Sequence, residues 1–305
     1  MSIEQLRFPS VGGEYCAATL YLPEGERPPV IVMAHGLGAI RAMGLAAYAE
    51  RFTAAGYACL VFDYRYFGDS EGTPRHLLST TEQRADWAAA LTFARQLPQV
   101  DGDRVVAWGT SFGGGHVIYT AAQRPAGLVA AIAQCPFTDG VASTLAVHPV
   151  SSVKATVAWL RDVVGTRAGR APHMIATAGP VRGTALMTAP DAESGYLALV
   201  PPGADFRNEV AARVVLDILT DRPGRLTADI RVPILFAVCE TDSVAPAGPT
   251  LRYAARAPFG ETRRYPDGHF DIYRGDAFER VVTDQLDFLR RQVPTARLDE
   301  GESIP

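Results

Sequence analysis

Long apolar runs and clusters of basic residues are both missing from this sequence. No apolar stretch approaches the ~20 residues of a membrane-spanning helix, and no run of Lys or Arg could neutralise a row of phosphates. The net charge of −4 also disfavours nucleic acid as a partner. Residues 1–7 carry charges where a secretory signal would need an apolar stretch. We therefore expect a cytoplasmic protein that interacts with neither membranes nor nucleic acid.

Cysteine is scarce, and the common cofactor-binding patterns are absent. The cysteines fall in strand-like segments without any Cys-x-x-Cys pair, so buried free thiols are expected at Cys16, Cys59, Cys135 and Cys239. Neither Gly-x-Gly-x-x-Gly nor Gly-x-x-x-x-Gly-Lys-[Ser/Thr] occurs, which disfavours a nucleotide site. We expect neither a metal nor an organic cofactor.

The composition is that of an ordinary globular protein with a sizeable core. Hydrophobic residues make up 48% of the chain and charged residues 20%. A length of 305 residues is compatible with one large domain or two small ones, since domains typically hold roughly 100 to 200 residues. The order of the predicted elements along the chain has to decide between one domain and two.

Strand-like and helix-like segments alternate through the first half of the chain. Residues 5–8 and 15–22 predict two strands at an antiparallel edge, and the apolar run 30–34 predicts a strand buried on both faces. The segments that follow are a helix at 41–55, a strand at 57–62, a helix at 81–97, a strand at 104–108, a helix from 112 and a strand at 128–135. This alternation predicts an α/β fold with a mostly parallel, doubly wound sheet.

The alternation stops between Pro136 and about Thr227, where no clear strand is found. Helix-like pieces at 151–164 and 207–219 predict an inserted helical cap, because so long a segment is not a simple loop. The pattern resumes with a strand at 232–238, a helix at 248–256, a strand at 261–265 and a helix at 273–291. The expected units are core 1–136, helical cap 137–228, core 229–293 and a polar tail 294–305.

The strongest local signal is Gly109-Thr110-Ser111-Phe112-Gly113, which lies between a strand-like and a helix-like segment. That context is the one a Gly-x-Ser-x-Gly nucleophile elbow needs, because the turn is sharp and the glycines remove clashing side chains. Ser111 is therefore the predicted nucleophile. The alternative is a glycine-rich turn, extended by Gly114 and Gly115, that only lets the helix pack closely on the sheet.

A serine nucleophile needs a base, and one histidine is placed to act as one. His269 follows the last predicted strand in a glycine-containing turn, which would bring its imidazole to the same edge of the sheet as Ser111. The remaining histidines lie in turns, on the elbow helix or in the cap: His35, His76, His116, His148 and His173. The alternative is that His269 is an ordinary surface histidine.

The base needs a carboxylate that holds it in one tautomer. Asp242 follows the strand that ends at Cys239 and is the first candidate, with Glu240 and Asp139 in reserve. A solvated loop aspartate is the alternative.

The run His35-Gly36-Leu37-Gly38 follows the first buried strand and predicts an oxyanion turn. The backbone N–H groups of Leu37 and Phe112 are the expected donors, with His35 orienting the turn rather than carrying a proton. The alternative is a glycine turn that only leads into a helix.

These motifs, together with the stretch Phe62 to Gly72 and the chain order Ser, Asp, His, resemble the α/β-hydrolase superfamily. More narrowly, the chain resembles hydrolases related to the X-prolyl dipeptidyl peptidases, including the polyketide-transferase type. The resemblance implies a Ser–His–Asp acyl-enzyme mechanism at Ser111, His269 and Asp242. It does not choose a substrate, and true X-prolyl peptidases usually have longer chains, which counts against that activity.

The expected activity is hydrolysis of an ester, thioester, lactone or related acyl bond in a small, largely apolar substrate. An acyltransferase with the same triad, a C–C bond hydrolase and a catalytically silent binding protein remain open. The residues predicted to contact the substrate are His35, Gly36, Trp159, Met174 and Tyr196. The sequence also leaves a homo-dimer open.

Overall fold

The computed structural model describes residues 1–295, which form a large sheet, flanking helices and an inserted unit. The strands are β1 Ser2–Pro9, β2 Tyr15–Leu22, β3 Pro29–Ala34, β4 Ala58–Phe62, β5 Asp101–Thr110, β6 Leu128–Gln134, β7 Met174–Ala178, β8 Ala185–Met187, β9 Val210–Ala211, β10 Ile234–Cys239 and β11 Gly260–Tyr265. The helices are α1 Leu45–Ala54, α2 Thr80–Gln96, α3 Phe112–Ala122, α4 Gly140–Ala146, α5 Pro149–Arg167, α6 Ala192–Leu197, α7 Val214–Thr220, α8 Ala247–Ala254 and α9 Gly275–Gln292. Short 3₁₀ turns occur at Pro223–Asp229 and Asp271–Tyr273.

The main sheet has eight strands in the order β1-β2-β4-β3-β5-β6-β10-β11. β1 pairs antiparallel with β2, and β2 pairs antiparallel with β4. Every other pairing in this sheet is parallel. The predicted α/β class, with an antiparallel edge on a mostly parallel sheet, is confirmed.

Two apolar cores lie on opposite faces of this sheet, and β3 shows how the sequence divides between them. Val30, Val32 and Ala34 belong to one core, whereas Ile31 and Met33 belong to the other. This split follows from the two-residue period of a strand. Because both faces are covered, the strand reads as an unbroken apolar run.

Helix starts in this chain carry recognisable caps. The Ser79 hydroxyl accepts a hydrogen bond from the Glu82 N–H at the start of α2, and Ser-x-x-Glu is the capping-box pattern. Asp139 caps α4 through the Ala142 N–H. The α5 helix begins with Pro149 directly after its cap residue His148. These side chains satisfy N–H groups that the helices themselves leave unpaired.

The inserted segment between β6 and β10 is not purely helical, and the prediction of no strand there is wrong. β7, β8 and β9 form a second sheet in the order β8-β7-β9, with β7 parallel to β8 and antiparallel to β9. These strands hold only five, three and two residues, too few to show a two-residue alternation in the sequence. The predicted helix at 207–219 begins only at Val214, because Val210 and Ala211 pair with β7.

The domain boundaries at 137, 229 and 294 stay a prediction, although the main-sheet strands are interrupted between Gln134 and Ile234. Of the predicted polar tail 294–305, residues 296–305 lie outside the described part of the chain. No helix within residues 1–295 combines the length and the apolar character that crossing a bilayer would require.

Candidate active site

Ser111 lies at a sharp turn between β5 and α3. Its φ of 57° is in the left-handed region that non-glycine residues rarely adopt. A Cβ on Gly113 would lie 2.5 Å from the His35 carbonyl oxygen, and a Cβ on Gly109 would collide with the Gly113 carbonyl. The two glycines of the pattern are therefore required by close backbone packing, and they let α3 start directly behind the serine.

A hydrogen-bonded chain connects Ser111, His269 and Asp242. The Ser111 Oγ lies 3.0 Å from His269 Nε2, and His269 Nδ1 lies 2.6 Å from Asp242 Oδ2. The other carboxylate oxygen, Oδ1, accepts the N–H groups of Val244 and Ala245 at 2.8 and 2.6 Å. Because the carboxylate is fixed from both sides, the imidazole presents Nε2 to the serine.

The three residues follow the carboxyl ends of different parallel strands. Ser111 follows β5, Asp242 follows β10 and His269 follows β11. Since parallel strands end at the same edge of a sheet, side chains distant in sequence meet there. Their separation of 27 residues between the acid and the histidine, and of 158 between the histidine and the serine, is bridged by the fold.

The histidine and the carboxylate are both shielded from water, with 2% and 1% of their side chains exposed. Burial by itself lowers the pKa of His269, but the adjacent Asp242 charge and its hydrogen bond outweigh burial, so the pKa lies well above its usual value. An imidazole with a raised pKa accepts the serine proton more readily once it is neutral.

Hydrogen bonds beneath the site join the loop after β11 to the end of β5. The Thr110 hydroxyl lies 2.5 Å from the Tyr273 hydroxyl. The Tyr48 hydroxyl donates to the Ile272 carbonyl at 2.6 Å. These contacts hold the segment that follows His269 against the residue that precedes Ser111.

Cys135 lies beside His269, and this group is the candidate metal site within residues 1–295. The possible ligand atoms of Cys135, Asp242 and His269 all lie within 4.8 Å of one another. A metal there would have to replace the hydrogen bond between His269 and Asp242, whose second oxygen is already engaged by two N–H groups. Burial raises the pKa of the Cys135 thiol well above its usual value, which disfavours the thiolate that a metal needs. The donor set fits proton transfer better than metal binding.

The reserve carboxylates have other partners. Glu240 forms an ion pair with Arg264 at 2.5 Å. Asp139 caps α4 and accepts the Tyr253 hydroxyl at 2.8 Å. The carboxylate that contacts His269 is therefore that of Asp242.

The remaining histidines also have structural partners. The His116 ring bonds Gln83 at 2.9 Å, and His76 lies 3.3 Å from Glu209. His148 accepts the Val150 N–H at the start of α5, and the backbone N–H of His173 donates to Asp162.

The turn after β3 lies directly against Ser111. A Cβ on Gly36 would lie 2.9 Å from the Ser111 Cβ, so only glycine fits here. His35 Nδ1 donates to the Gly36 carbonyl at 3.0 Å, and burial lowers the pKa of His35. The Tyr196 hydroxyl donates to the Leu37 carbonyl at 3.0 Å. Backbone and side-chain contacts thus hold the predicted oxyanion turn beside Ser111.

A second anchor of this turn is the buried carboxylate of Asp63, whose role the sequence did not reveal. It accepts the Arg41 N–H at 2.6 Å and forms an ion pair with the Arg41 guanidinium. Gly68 packs so closely on this carboxylate that a Cβ would collide with it. The stretch from Phe62 to Gly72, which contributed to the family resemblance, therefore holds the segment that follows the predicted oxyanion turn.

A cavity of about 140 Å³ opens beside Ser111 between the main sheet and the inserted segment. Its lining holds apolar and hydroxyl side chains and no charged one: Leu37, Ser111, Phe112, Phe137, Ser143, Thr144, Ala146, Val147, Ser152, Ala155, Thr156, Ala185, Leu186, Met187, Thr188, Ala189, Val215, Ile218, Leu219, Ser243, Val244 and Ala245. Both predicted oxyanion residues, Leu37 and Phe112, belong to this lining. The surface suits an uncharged, largely apolar group.

The predicted substrate contacts divide into two groups. His35, Gly36 and Tyr196 line a small recess together with Ser111 and His269. Trp159 and Met174 do not line either space beside Ser111; Trp159 is half-buried on α5, and Met174 lines a separate polar cavity with Arg75 and His76. Met174 lies on β7, which pairs with β8 and β9, whereas the sequence predicted a purely helical cap without strands.

Several lining residues were not singled out in the sequence analysis. Phe137 lies three residues after the end of β6, and Val244 and Ala245 lie two and three residues after Asp242. These positions had a usable signal, because each lies just past the carboxyl end of a parallel strand. Val215 and Ile218 on α7 had none, since only the packed inserted segment brings them to the cavity.

Comparisons with known proteins identify the family to which the chain belongs. A family model described as X-Pro dipeptidyl-peptidase (S15 family) matches residues 13–173. The quorum-quenching protein AidA of Acinetobacter baumannii is 58% identical over 280 residues, covering 92% of each chain. Thiohydrolase aneE of Aspergillus aculeatus is 26% identical over 299 residues, covering 94% of this chain and 92% of that protein.

A likeness in structure accompanies the likeness in sequence. The crystal structure of the α/β hydrolase GrgF from Penicillium sp. sh18 matches with a TM-score of 0.82 at 23% identity, covering 96% of this chain and 99% of that one. This match concerns the fold, and it confirms the α/β-hydrolase fold expected from the motifs. The family match and the 58% identity together carry the assignment: the chain belongs to the X-Pro dipeptidyl-peptidase (S15) family, a family of α/β hydrolases.

Proposed function

We propose that the protein is a serine hydrolase that cleaves an ester, thioester or lactone bond of a small, largely apolar acyl compound. The observation that carries the proposal is the hydrogen-bonded chain from Ser111 through His269 to Asp242, with distances of 3.0 and 2.6 Å. Such a chain is the arrangement that activates a serine hydroxyl for attack on an acyl carbon.

The reaction follows from the placement of these atoms. Ser111 Oγ attacks the acyl carbon while its proton passes to His269 Nε2, and Asp242 stabilises the imidazolium that forms. The N–H groups of Leu37 and Phe112 stabilise the negative oxygen of the tetrahedral intermediate. His269 then protonates the leaving alcohol or thiol. Water attacks the acyl-enzyme in the second half, giving the acid and the free serine.

The lining of the cavity favours uncharged acyl groups over peptides. A dipeptidyl peptidase has to bind the charged amino terminus of its substrate, for which a carboxylate is the natural partner. The cavity beside Ser111 offers no carboxylate among its lining residues. Two relatives, one named a quorum-quenching protein and one a thiohydrolase, are compatible with hydrolysis of small acyl compounds.

The nucleophile is tested with a fluorophosphonate probe. We expect the wild-type protein to be labelled at Ser111 and the Ser111→Ala variant to remain unlabelled while still folded by circular dichroism. Ser243→Ala is the matched control, because Ser243 lines the same cavity but bonds Asp191 instead of a histidine. Labelling that persists in Ser111→Ala, or an unlabelled wild type, would contradict the proposal and favour a binding protein.

The acyl acceptor is tested separately by competition. An acyltransferase with the same three residues would pass the acyl group to an added alcohol, amine or thiol instead of water. With a p-nitrophenyl ester as donor, we expect free acid as the main product at millimolar acceptor concentrations. A product that is mostly transferred acyl group would replace hydrolase by acyltransferase.

A further inference from the structure

The α5 helix presents a row of five apolar side chains to solvent. Its inward side is formed by small or polar residues, Ser151, Ala155, Ala158 and Asp162, all of them buried. Its outward side carries Val150, Val153, Val157, Leu160 and Val164, which are between 43% and 64% exposed. A surface helix normally has the reverse arrangement, with its large apolar residues toward the core.

The outward residues, here called the α5 stripe, are spaced three and four residues apart in alternation. This spacing is the a and d pattern with which one helix packs against another, and β-branched residues at a with Leu at d are common in such pairs. The stripe is also nearly symmetric about Val157. In an antiparallel pair, Val150 would face Val164, Val153 would face Leu160, and Val157 would face its own copy.

We propose that the α5 stripe packs antiparallel against the α5 stripe of a second copy of this chain, forming a two-fold symmetric dimer. The five side chains expose on the order of 400 Å², as large as the largest apolar patch on a typical monomer. Two further leucines are exposed nearby, Leu145 on α4 and Leu216 on α7, and α7 contacts both α4 and α5. Two such faces together approach the ~1,000 Å² that a specific interface has to bury.

The geometry of the stripe favours a second copy over a lipid surface. Four of its five residues are valines and none is aromatic, whereas helices that lie in a membrane interface use Trp, Phe and Leu. The stripe is also narrow, which is typical of a helix pair and not of a broad lipid-facing side. Its near symmetry about Val157 is a property that self-pairing requires and that a lipid surface does not.

The charges beside the stripe predict how the dimer responds to salt. The exposed charged residues of α5 are Lys154, Arg161 and Arg167, all of them basic. In the antiparallel pair, Lys154 of one copy lies near Arg161 of the other. The long apolar stems let these charges reach water, and their repulsion is screened by salt. Dimerisation should therefore strengthen with ionic strength, opposite to binding of an acidic partner or an anionic membrane.

The test measures self-association of the full chain by sedimentation velocity across concentration and NaCl. We expect a dimer in the wild type and at least a tenfold weaker association in Val157→Asp, with an unchanged circular dichroism spectrum. Val11→Asp is the matched control, because Val11 is also an exposed valine, 64% against 44% for Val157, but lies in the β1–β2 turn. A wild type that stays monomeric at 100 µM, or a Val157→Asp dimer as tight as the wild type, would overturn the proposal.

A charge-reversing variant distinguishes self-association through the α5 stripe from binding of another partner. Lys154→Glu places a carboxylate near Arg161 of the second copy, so we expect several-fold tighter self-association and the loss of its strengthening by salt. Weaker self-association in Lys154→Glu would overturn the antiparallel register. Flotation of a monomeric protein with vesicles that contain phosphatidylserine would overturn the dimer in favour of a membrane.

Discussion

At the residue scale, the carboxylate of Asp242 has two tasks that an amide would perform badly. It accepts the His269 Nδ1–H and two backbone N–H groups at once. An amide presents N–H₂ in place of one oxygen, which favours the wrong imidazole tautomer. We therefore expect Asp242→Asn to lower kcat by about 10³ to 10⁴, measured with a p-nitrophenyl ester. Glu240→Gln is the control with unchanged kcat, because Glu240 contacts Arg264 instead of His269. A loss below tenfold in Asp242→Asn would contradict the role given to this residue.

The raised pKa of His269 predicts how the activity depends on pH. In the proposed mechanism the neutral imidazole is the form that accepts the serine proton, so kcat/KM should fall as the pH drops below the raised pKa. The midpoint is expected above the ordinary histidine value of about 6.5. In Asp242→Asn the midpoint should move to lower pH, because the charge that raises the pKa is gone. A pH–rate profile checks both shifts, and a midpoint unmoved in the variant would contradict them.

The same pKa shift affects the folding stability in the opposite direction as the pH changes. The folded protein holds the His269 proton more tightly than the unfolded chain does, so this contribution to stability is complete below the unfolded pKa. It is lost as the pH rises through the raised folded pKa. Activity and this part of the stability therefore change in opposite directions with pH.

Tyr196 contacts the predicted oxyanion turn through its hydroxyl. That hydroxyl donates to the Leu37 carbonyl from a buried position, and its loss leaves a carbonyl without this partner. We expect Tyr196→Phe to lower kcat about tenfold with little change in KM, because it disturbs the donor at Leu37 and not the binding of the ground state. Tyr119→Phe is the control, since Tyr119 packs against Arg84 away from the site. Equal kcat in Tyr196→Phe and the wild type would refute the positioning role.

At the scale of single elements, the turn at Ser111 shows that a short sequence pattern can encode close packing of the backbone. Ser111 in left-handed geometry requires α3 to start almost in contact with β3, so Gly113 lies against the Ala34 and His35 carbonyls. The expected strand, turn and helix were all found at their predicted positions. A short pattern was sufficient here because its backbone demands are local.

The close approach at Gly113 can be tested by stability. Gly113→Ala places a Cβ 2.5 Å from the His35 carbonyl oxygen, and backbone atoms cannot yield as a side chain could. We expect a loss of about 2 to 3 kcal/mol in the free energy of unfolding, measured by urea denaturation. Gly248→Ala in α8 is the control, where the nearest atom is 3.7 Å away and a gain of roughly 0.5 kcal/mol is expected. Equal stability of the two variants would contradict the packing argument.

The elements of the inserted segment escaped prediction for a different reason. β7, β8 and β9 are short and depend on pairing with one another. Asp162 on α5 also bonds Arg213 and the His173 N–H, which ties α5 to segments far along the chain. Because these elements are stabilised by tertiary contacts, their local sequence carries little periodic signal.

At the scale of the whole molecule, the cavity beside Ser111 is lined by residues of both the main sheet and the inserted segment. The sheet edge supplies Ser111 and Phe112, and the inserted segment supplies the wall that includes α7. Ile218 faces the cavity from α7, whereas Leu216 on the same helix is 45% exposed. The length of acyl chain that fits should therefore depend on α7.

This dependence leads to a test of specificity. We expect Ile218→Trp to reduce kcat/KM for an octanoyl p-nitrophenyl ester about ten- to 100-fold while the acetyl ester changes little, because the larger side chain fills space that only the long chain uses. Leu216→Trp is the matched control with unchanged preference. If both esters lose activity equally in Ile218→Trp, α7 does not determine which acyl chain lengths the cavity accepts.

The sequence by itself determined the α/β class, the order of the core elements and the identity of the residues at the ends of β5, β10 and β11. It could do so because buried parallel strands read as apolar runs, and a nucleophile elbow demands glycine at fixed positions. Only the tertiary structure decided that Asp242 and not Glu240 contacts His269, that Trp159 and Met174 lie away from the cavity, and that Val215 and Ile218 line it. Those outcomes depend on which distant segments pack together, and a side chain's direction at the end of a strand or on an inserted helix is set by that packing rather than by its neighbours in sequence.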